Sequence, residues 1–235
     1  MGIWNIIRRD EDDQGTTRDA MQAARKGDTD ANALQRLVEK IRDLGIDGTI
    51  GYASAAKAAD HARRGRAKKR PEKAVKRLIR SHRRGVTVGG FLTGLGGFIT
   101  LPVLLPTNVL EFYVQSTRMV AGIAAVRGYD LDDPEIRTRI MATLMAEESG
   151  ELLSSVGLGP VAGAASRAVA GQLPSSMTSE VLSAFGSRIL RKFGLRSARL
   201  FGKAIPGLGA VLGAWADRRQ LNKIAKAARE GFPAR

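Results

Sequence analysis

Few side chains in this sequence are of the types that perform chemistry, and their spacing limits what they can do. His61 and His82 are the two histidines and stand 21 residues apart with no carboxylates clustered around them. His82 falls on the apolar stripe of a helical pattern, which points to packing rather than to metal ligation. Glu147, Glu148 and Glu151 form an acidic cluster, with Glu147 and Glu151 one helical turn apart. Such a pair can serve acid/base chemistry, but the many cations of the C-terminal third are the commoner partners for it. Glu111, Gln115 and Arg118 stand at i, i+4 and i+7 on an otherwise apolar helix. They predict one buried polar stripe, either a network that satisfies itself or the lining of a ligand site.

Phosphate-binding and nucleophilic motifs fail on inspection. Gly202-Lys203 is followed by Ala204, and Ser197 stands where a P-loop needs its first glycine. Gly157-x-Gly159-x-x-x-Gly163 and Gly207-x-Gly209-x-x-x-Gly213 resemble dinucleotide loops only superficially, because no strand pattern precedes either one. There is no cysteine, which excludes disulfides and thiolate metal sites. The residues therefore name no catalytic group, no cofactor and no metal, and whether the chain is an enzyme stays open.

Charge is the stronger signal. The net charge is +15, and residues 61–84 alone carry twelve basic side chains against one acid. The basic residues are Arg63, Arg64, Arg66, Lys68, Lys69, Arg70, Lys73, Lys76, Arg77, Arg80, Arg83 and Arg84. A run this dense expects an anionic membrane or an anionic polymer. At an anionic lipid surface each basic residue contributes about 1 kcal/mol. Nucleic acid would answer to the same charges, but no aromatic residue is interleaved in the run to stack on bases.

Directly after the run, no charged residue occurs from Gly85 to Leu110. Leu101, Pro102, Val103, Leu104, Leu105 and Pro106 should break a helix there, since proline removes a donor and biases its predecessor away from helix. The expected result is an apolar helical hairpin, 86–101 and 108–127, with 101–106 as its tip. Gly90, Gly94 and Gly97 would let the arms approach closely. Its length would suffice to span a bilayer, but five glycines, three threonines and Pro102 within 86–105 oppose stable insertion. Burial in a bundle, docking on lipid and spanning all stay open.

The remaining pattern is helical throughout. A stripe of Leu34, Leu37, Val38, Ile41 and Leu44 predicts a helix with Asp30 as N-cap and Gly45 as its stop. Ala53 to Arg64 is a second helix, and Pro71 opens a basic amphipathic third. Asp133 caps a helix begun by Pro134 and Glu135, running from Ile136 to Gly171 with a break near Gly157. Two more helices are expected near 175–193 and 207–230. No sustained period-two run occurs, so the fold class is all-α. The organisation expected is a polar arm over 1–29, one bundle-like helical domain over 30–230 and a tail over 231–235. Met1 to Asp10 contains no signal-peptide core.

A set of short motifs, in order, carries a likeness to a known family. They are Ile46-Asp47-Gly48, Phe91-x-Thr93-Gly94-x-Gly96-Gly97, Ile99-Thr100-Leu101-Pro102, Pro106, Gln115, Arg118 and Gly128-Tyr129-Asp130-Leu131-Asp132-Asp133. Lys192-Phe193-Gly194 and Gly202-Lys203-Ala204-Ile205-Pro206-x-x-Gly209-Ala210 follow. With these the chain resembles the EcsC protein family over about residues 38–230. The resemblance implies a helical, membrane-associated bacterial protein, and the positive-inside tendency of the basic run would put it at the cytoplasmic face of the cell membrane. It also implies a membrane-protein partner, since the family takes its name from a component encoded beside an exporter. It brings no catalytic residue, and Asn108 stands where the family favours aspartate. Three functional readings remain: docking on anionic membrane lipid, nucleic-acid binding, and enzymatic action on lipid through Glu111, Arg118 or the Glu147 cluster.

Overall fold

The structure is a computed structural model that describes residues 31–49, 52–85, 107–158, 175–200 and 208–234. Eight α-helices make up these segments: α1 Ala31–Ile46, α2 Ala55–Arg63, α3 Pro71–Gly85, α4 Thr107–Val126, α5 Pro134–Thr143, α6 Ser149–Ser155, α7 Ser175–Leu200 and α8 Leu208–Gly231. Short 3-10 turns sit at Gly65–Ala67 and Ala146–Glu148. No strand occurs among the described residues, and the fold is all-α as the periodicity predicts. The polar arm 1–29, the first hairpin arm and the tip 101–106 lie outside the described residues.

The second arm of the expected hairpin is α4, and it forms the centre of the bundle. Helices α1, α2, α3, α5 and α8 all pack on it. Every residue from Phe112 to Thr117 is buried, so α4 shows no solvent stripe over that turn and a half. Gln115, Ser116 and Thr117 are buried with the apolar residues, and the packed helices supply the cover. Tyr113 anchors it with edge-on ring contacts to Phe112 and to Phe185 of α7, both with centroids 5.2 Å apart.

Gly45 does not stop α1, which continues to Ile46. It lies at the crossing with α4, where a β-carbon would come 2.4 Å from Thr117 Cβ and 3.1 Å from the Val114 carbonyl. The stop comes three residues later at Gly48, whose φ of +75° favours glycine and whose β-carbon would strike the Tyr52 carbonyl. Asp47, from the same turn, accepts a 3.0 Å hydrogen bond from Arg137 Nη1 of α5.

Asp133 caps α5 as its sequence context requires, its Oδ1 accepting from the Glu135 amide at 2.8 Å. The helix predicted over 136–171 breaks earlier than expected, however. It ends at Thr143, and Ala146 takes a left-handed φ of +56° before α6 begins. At the expected break, Gly157 ends α6 with φ +76°. The C-terminal residues set apart as a tail are tied down: Phe232 is fully buried and Tyr129 Oη donates to the Pro233 carbonyl at 3.1 Å.

Candidate functional site: a cationic helix face and an adjoining cleft

Helix α3 divides its residues sharply between two sides. Ala74, Val75, Leu78, Ile79 and His82 are buried against the bundle, while Lys73, Lys76, Arg77 and Arg80 are exposed. Those four, at i, i+3, i+4 and i+7, line one shallow groove of about 330 Å³ together with Ala67. The only acid of α3, Glu72, is engaged elsewhere, for its Oε1 lies 2.6 Å from Arg127 Nη2. Arg127 is itself buried and also donates to the carbonyls of Arg229, at 2.7 Å, and Phe232. Among the described residues no carboxylate pairs with Lys73, Lys76, Arg77 or Arg80.

Not all of the basic run faces outward. Arg63 is half-buried, and its Nη2 donates at 2.8 Å to the carbonyls of both Ala125 and Val126, closing the C-terminus of α4. Arg77 Nη1 donates at 2.8 Å to the Arg64 carbonyl just past the end of α2. Both cations meet the negative ends of helix dipoles. Arg64, Lys68, Lys69 and Arg70 are exposed, and Arg83 is partly so. The side chains of Arg66 and Arg84 lie outside those described.

On the other flank of Arg77, helices α2, α3 and α4 enclose a cleft of about 940 Å³. Its walls are mostly apolar, built from Ala53, Ala58, Ala62 and Leu78. The polar groups reaching it include Lys57, Asp60, His61, Arg64, Arg77, His82, Gln115 and Arg118. Ala55, Ala59 and Ala62 bury the inner face of α2, and these small side chains bring it close onto α4. Both histidines, far apart in the chain, therefore meet at one opening.

His82 is buried, with Nδ1 2.9 Å from the Leu78 carbonyl. A carbonyl only accepts, so Nδ1 carries the proton and Nε2 is left as an acceptor. Burial, reinforced by the nearby Arg118 charge, pushes its pKa down to about 4, and the ring is neutral at pH 7. His61 is exposed at the rim. No group of three or more His, Asp or Glu side chains among the described residues is placed to hold a metal ion.

The polar stripe of α4 divides in two. Gln115 Nε2 donates to Glu111 Oε1 at 3.3 Å, and burial holds the Glu111 carboxyl above its usual range. Arg118 instead lies over the Tyr52 ring, 4.4 Å from its centroid, and its Nε is buried without a hydrogen-bond partner. Gln115 and Arg118 face the cleft; Glu111 is not among its lining residues. Burial raises the Tyr52 pKa against the opposing pull of Arg118.

Two members of the acidic cluster form ion pairs, and Glu151 is exposed. Glu147 lies 3.1 Å from Lys223 Nζ of α8, and Glu148 pairs with Arg188 of α7. These exposed ion pairs link the 3-10 turn to the two C-terminal helices.

Two features of this arrangement coincide with the sequence likeness, namely the Gly128–Asp133 turn and the Gln115–Arg118 pair. The EcsC protein family matches residues 68–235, well over half of the chain. The chain belongs to the EcsC protein family. No curated protein and no solved structure matches it. The family match opens at Lys68, so Ile46-Asp47-Gly48 stands outside it, while the α3 residues of the groove and the α3 and α4 residues of the cleft stand within it. In this EcsC family member no helix among the described residues is long and apolar enough to cross a membrane.

Proposed function

We propose that this EcsC family member docks on the anionic inner face of the cell membrane as a non-enzymatic accessory of a membrane protein. The observation that carries the reading is the exposed face of α3, where Lys73, Lys76, Arg77 and Arg80 line one groove and no carboxylate among the described residues pairs with them. The uncharged stretch 86–106 follows this helix directly in sequence. Charge and apolar surface at one place are the two signals that stable peripheral attachment requires. Helix α4 is clothed by other helices, so this reading assigns the apolar contribution to the uncharged sequence 86–106, which lies outside the described residues.

Three of the groove cations make no helix-capping bond, and together they contribute about 3 kcal/mol to binding at an anionic surface. Co-sedimentation with phosphatidylglycerol-containing vesicles tests this. The full chain should pellet with anionic vesicles and not with phosphatidylcholine alone. The Lys73→Gln/Lys76→Gln/Arg80→Gln variant should lose about a hundredfold in partition. If that variant binds vesicles undiminished, or if the chain prefers duplex DNA or RNA to anionic vesicles at equal salt, the reading is overturned.

A further inference from the structure

The cleft between α2, α3 and α4 differs in kind from the outer groove. At its floor Arg118 is a half-buried guanidinium that no carboxylate pairs among the described residues, its Nε sealed from water without a partner. A charge withdrawn from water without a counter-ion is costly, and such groups are normally paired. Beside it stand two further buried polar groups, Gln115 and His82, each more than nine-tenths removed from solvent. His82 presents Nε2 on the side away from Leu78. The apolar wall is Ala53, Ala58, Ala62 and Leu78, and the cations Lys57, Arg64 and Arg77 outnumber Asp60, the one carboxylate among the lining residues. A cleft of about 940 Å³ with mostly apolar walls and buried polar groups among its lining has the size and make-up of small-molecule sites.

Oxyanions without an apolar body would leave those walls wetted, and a neutral apolar ligand would leave Arg118 unmatched. We infer that the cleft binds a single anionic amphiphile, its carboxylate or phosphate on the Arg118 guanidinium and its alkyl chain along Ala58, Ala62 and Leu78. A protonated phosphate oxygen would find an acceptor in His82 Nε2. Carboxylate and phosphate heads share this oxyanion chemistry. The site does not rest on the membrane reading, because the groove and the cleft share only Arg77.

Calorimetric titration of the full chain tests it with single-chain probes held below their micelle concentrations. Dodecyl phosphate and dodecanoate should each bind at one per chain, and whichever is tighter identifies the preferred head. Inorganic phosphate should bind at least tenfold more weakly, and dodecyltrimethylammonium should not bind. Arg118→Gln should weaken the tighter probe about ten- to a hundredfold, the loss of charge-assisted hydrogen bonds. Ala58→Phe, which fills the apolar wall and touches no charge, should weaken it comparably, with thermal melting confirming that both variants fold. The Lys73→Gln/Lys76→Gln/Arg80→Gln chain should bind as the parent does, even where it no longer pellets with vesicles. Equal binding of the cationic probe, undiminished affinity in both Arg118→Gln and Ala58→Phe, or inorganic phosphate as tight as dodecyl phosphate would overturn the inference.

Discussion

His82 gives the fold a built-in sensitivity to acid that can be worked out in advance. Its folded pKa is about 4 against an ordinary 6.5, because burial penalises the charged ring and Arg118 repels it. Below pH 6.5 the unfolded chain takes up a proton that the folded chain refuses. Stability contributed by the neutral ring is therefore complete above that pH and lost as the pH falls toward 4. The loss is about 2 kcal/mol at pH 5 and about 3 kcal/mol at pH 4. In urea, with a slope of about 2–3 kcal/mol/M, the pH 5 loss moves the midpoint down by about 0.7–1 M. Carboxylates titrate over part of the same range, so His82→Asn serves as the reference. Asparagine keeps a donor for the Leu78 carbonyl and has no proton to gain. Urea unfolding followed by circular dichroism from pH 7.5 to 4.5 should show the parent losing about 2 kcal/mol more than His82→Asn by pH 5. Parallel pH profiles for the two proteins would refute the reasoning.

Two further substitutions probe the packing that builds the site. Gly45→Ala would stabilise an open helical position by about 1 kcal/mol, but here the new carbon meets Thr117 and the Val114 backbone. A net destabilisation of about 1–3 kcal/mol is expected by urea unfolding, and an increase in stability would show that the crossing is not tight. Arg127→Met strips the carbonyls of Arg229 and Phe232 of their donor. It should cost about 2–4 kcal/mol and speed amide exchange in the last turn of α8, whereas unchanged exchange there would argue against that anchor.

What could be read from the chain was what local chemistry decides. Asp133, Pro134 and Glu135 carry their own instructions, because capping is settled within one turn, and the structure places the start of α5 where they require. The amphipathic division of α3 was equally legible from the spacing of its apolar residues. Gly45 misled because a glycine after the last periodic leucine is the usual mark of a helix end, while its actual reason is Thr117, a tertiary neighbour. The break before α6 left no trace, since the left-handed residue there is Ala146 and not glycine or asparagine. The polar stripe on α4 was visible, but not its division between Glu111 and the cleft. The cleft itself arises from three helices, and only the small residues of α2 hint at the close approach that draws His61 and His82 together. Nor does a run of twelve cations disclose that Arg63 and Arg77 bond to helix ends.

The absence of cysteine allows the central claim to be tested with single labels. An environment-sensitive fluorophore attached at Val103→Cys reports on the apolar stretch, and one at exposed Ser155→Cys serves as control. On mixing with phosphatidylglycerol vesicles, the label at 103 should shift to the blue and become shielded from aqueous iodide, and the label at 155 should do neither. The response at 103 should vanish in phosphatidylcholine vesicles, in high salt and in the Lys73→Gln/Lys76→Gln/Arg80→Gln background. A label at 103 that stays equally quenchable with and without anionic vesicles would contradict the account.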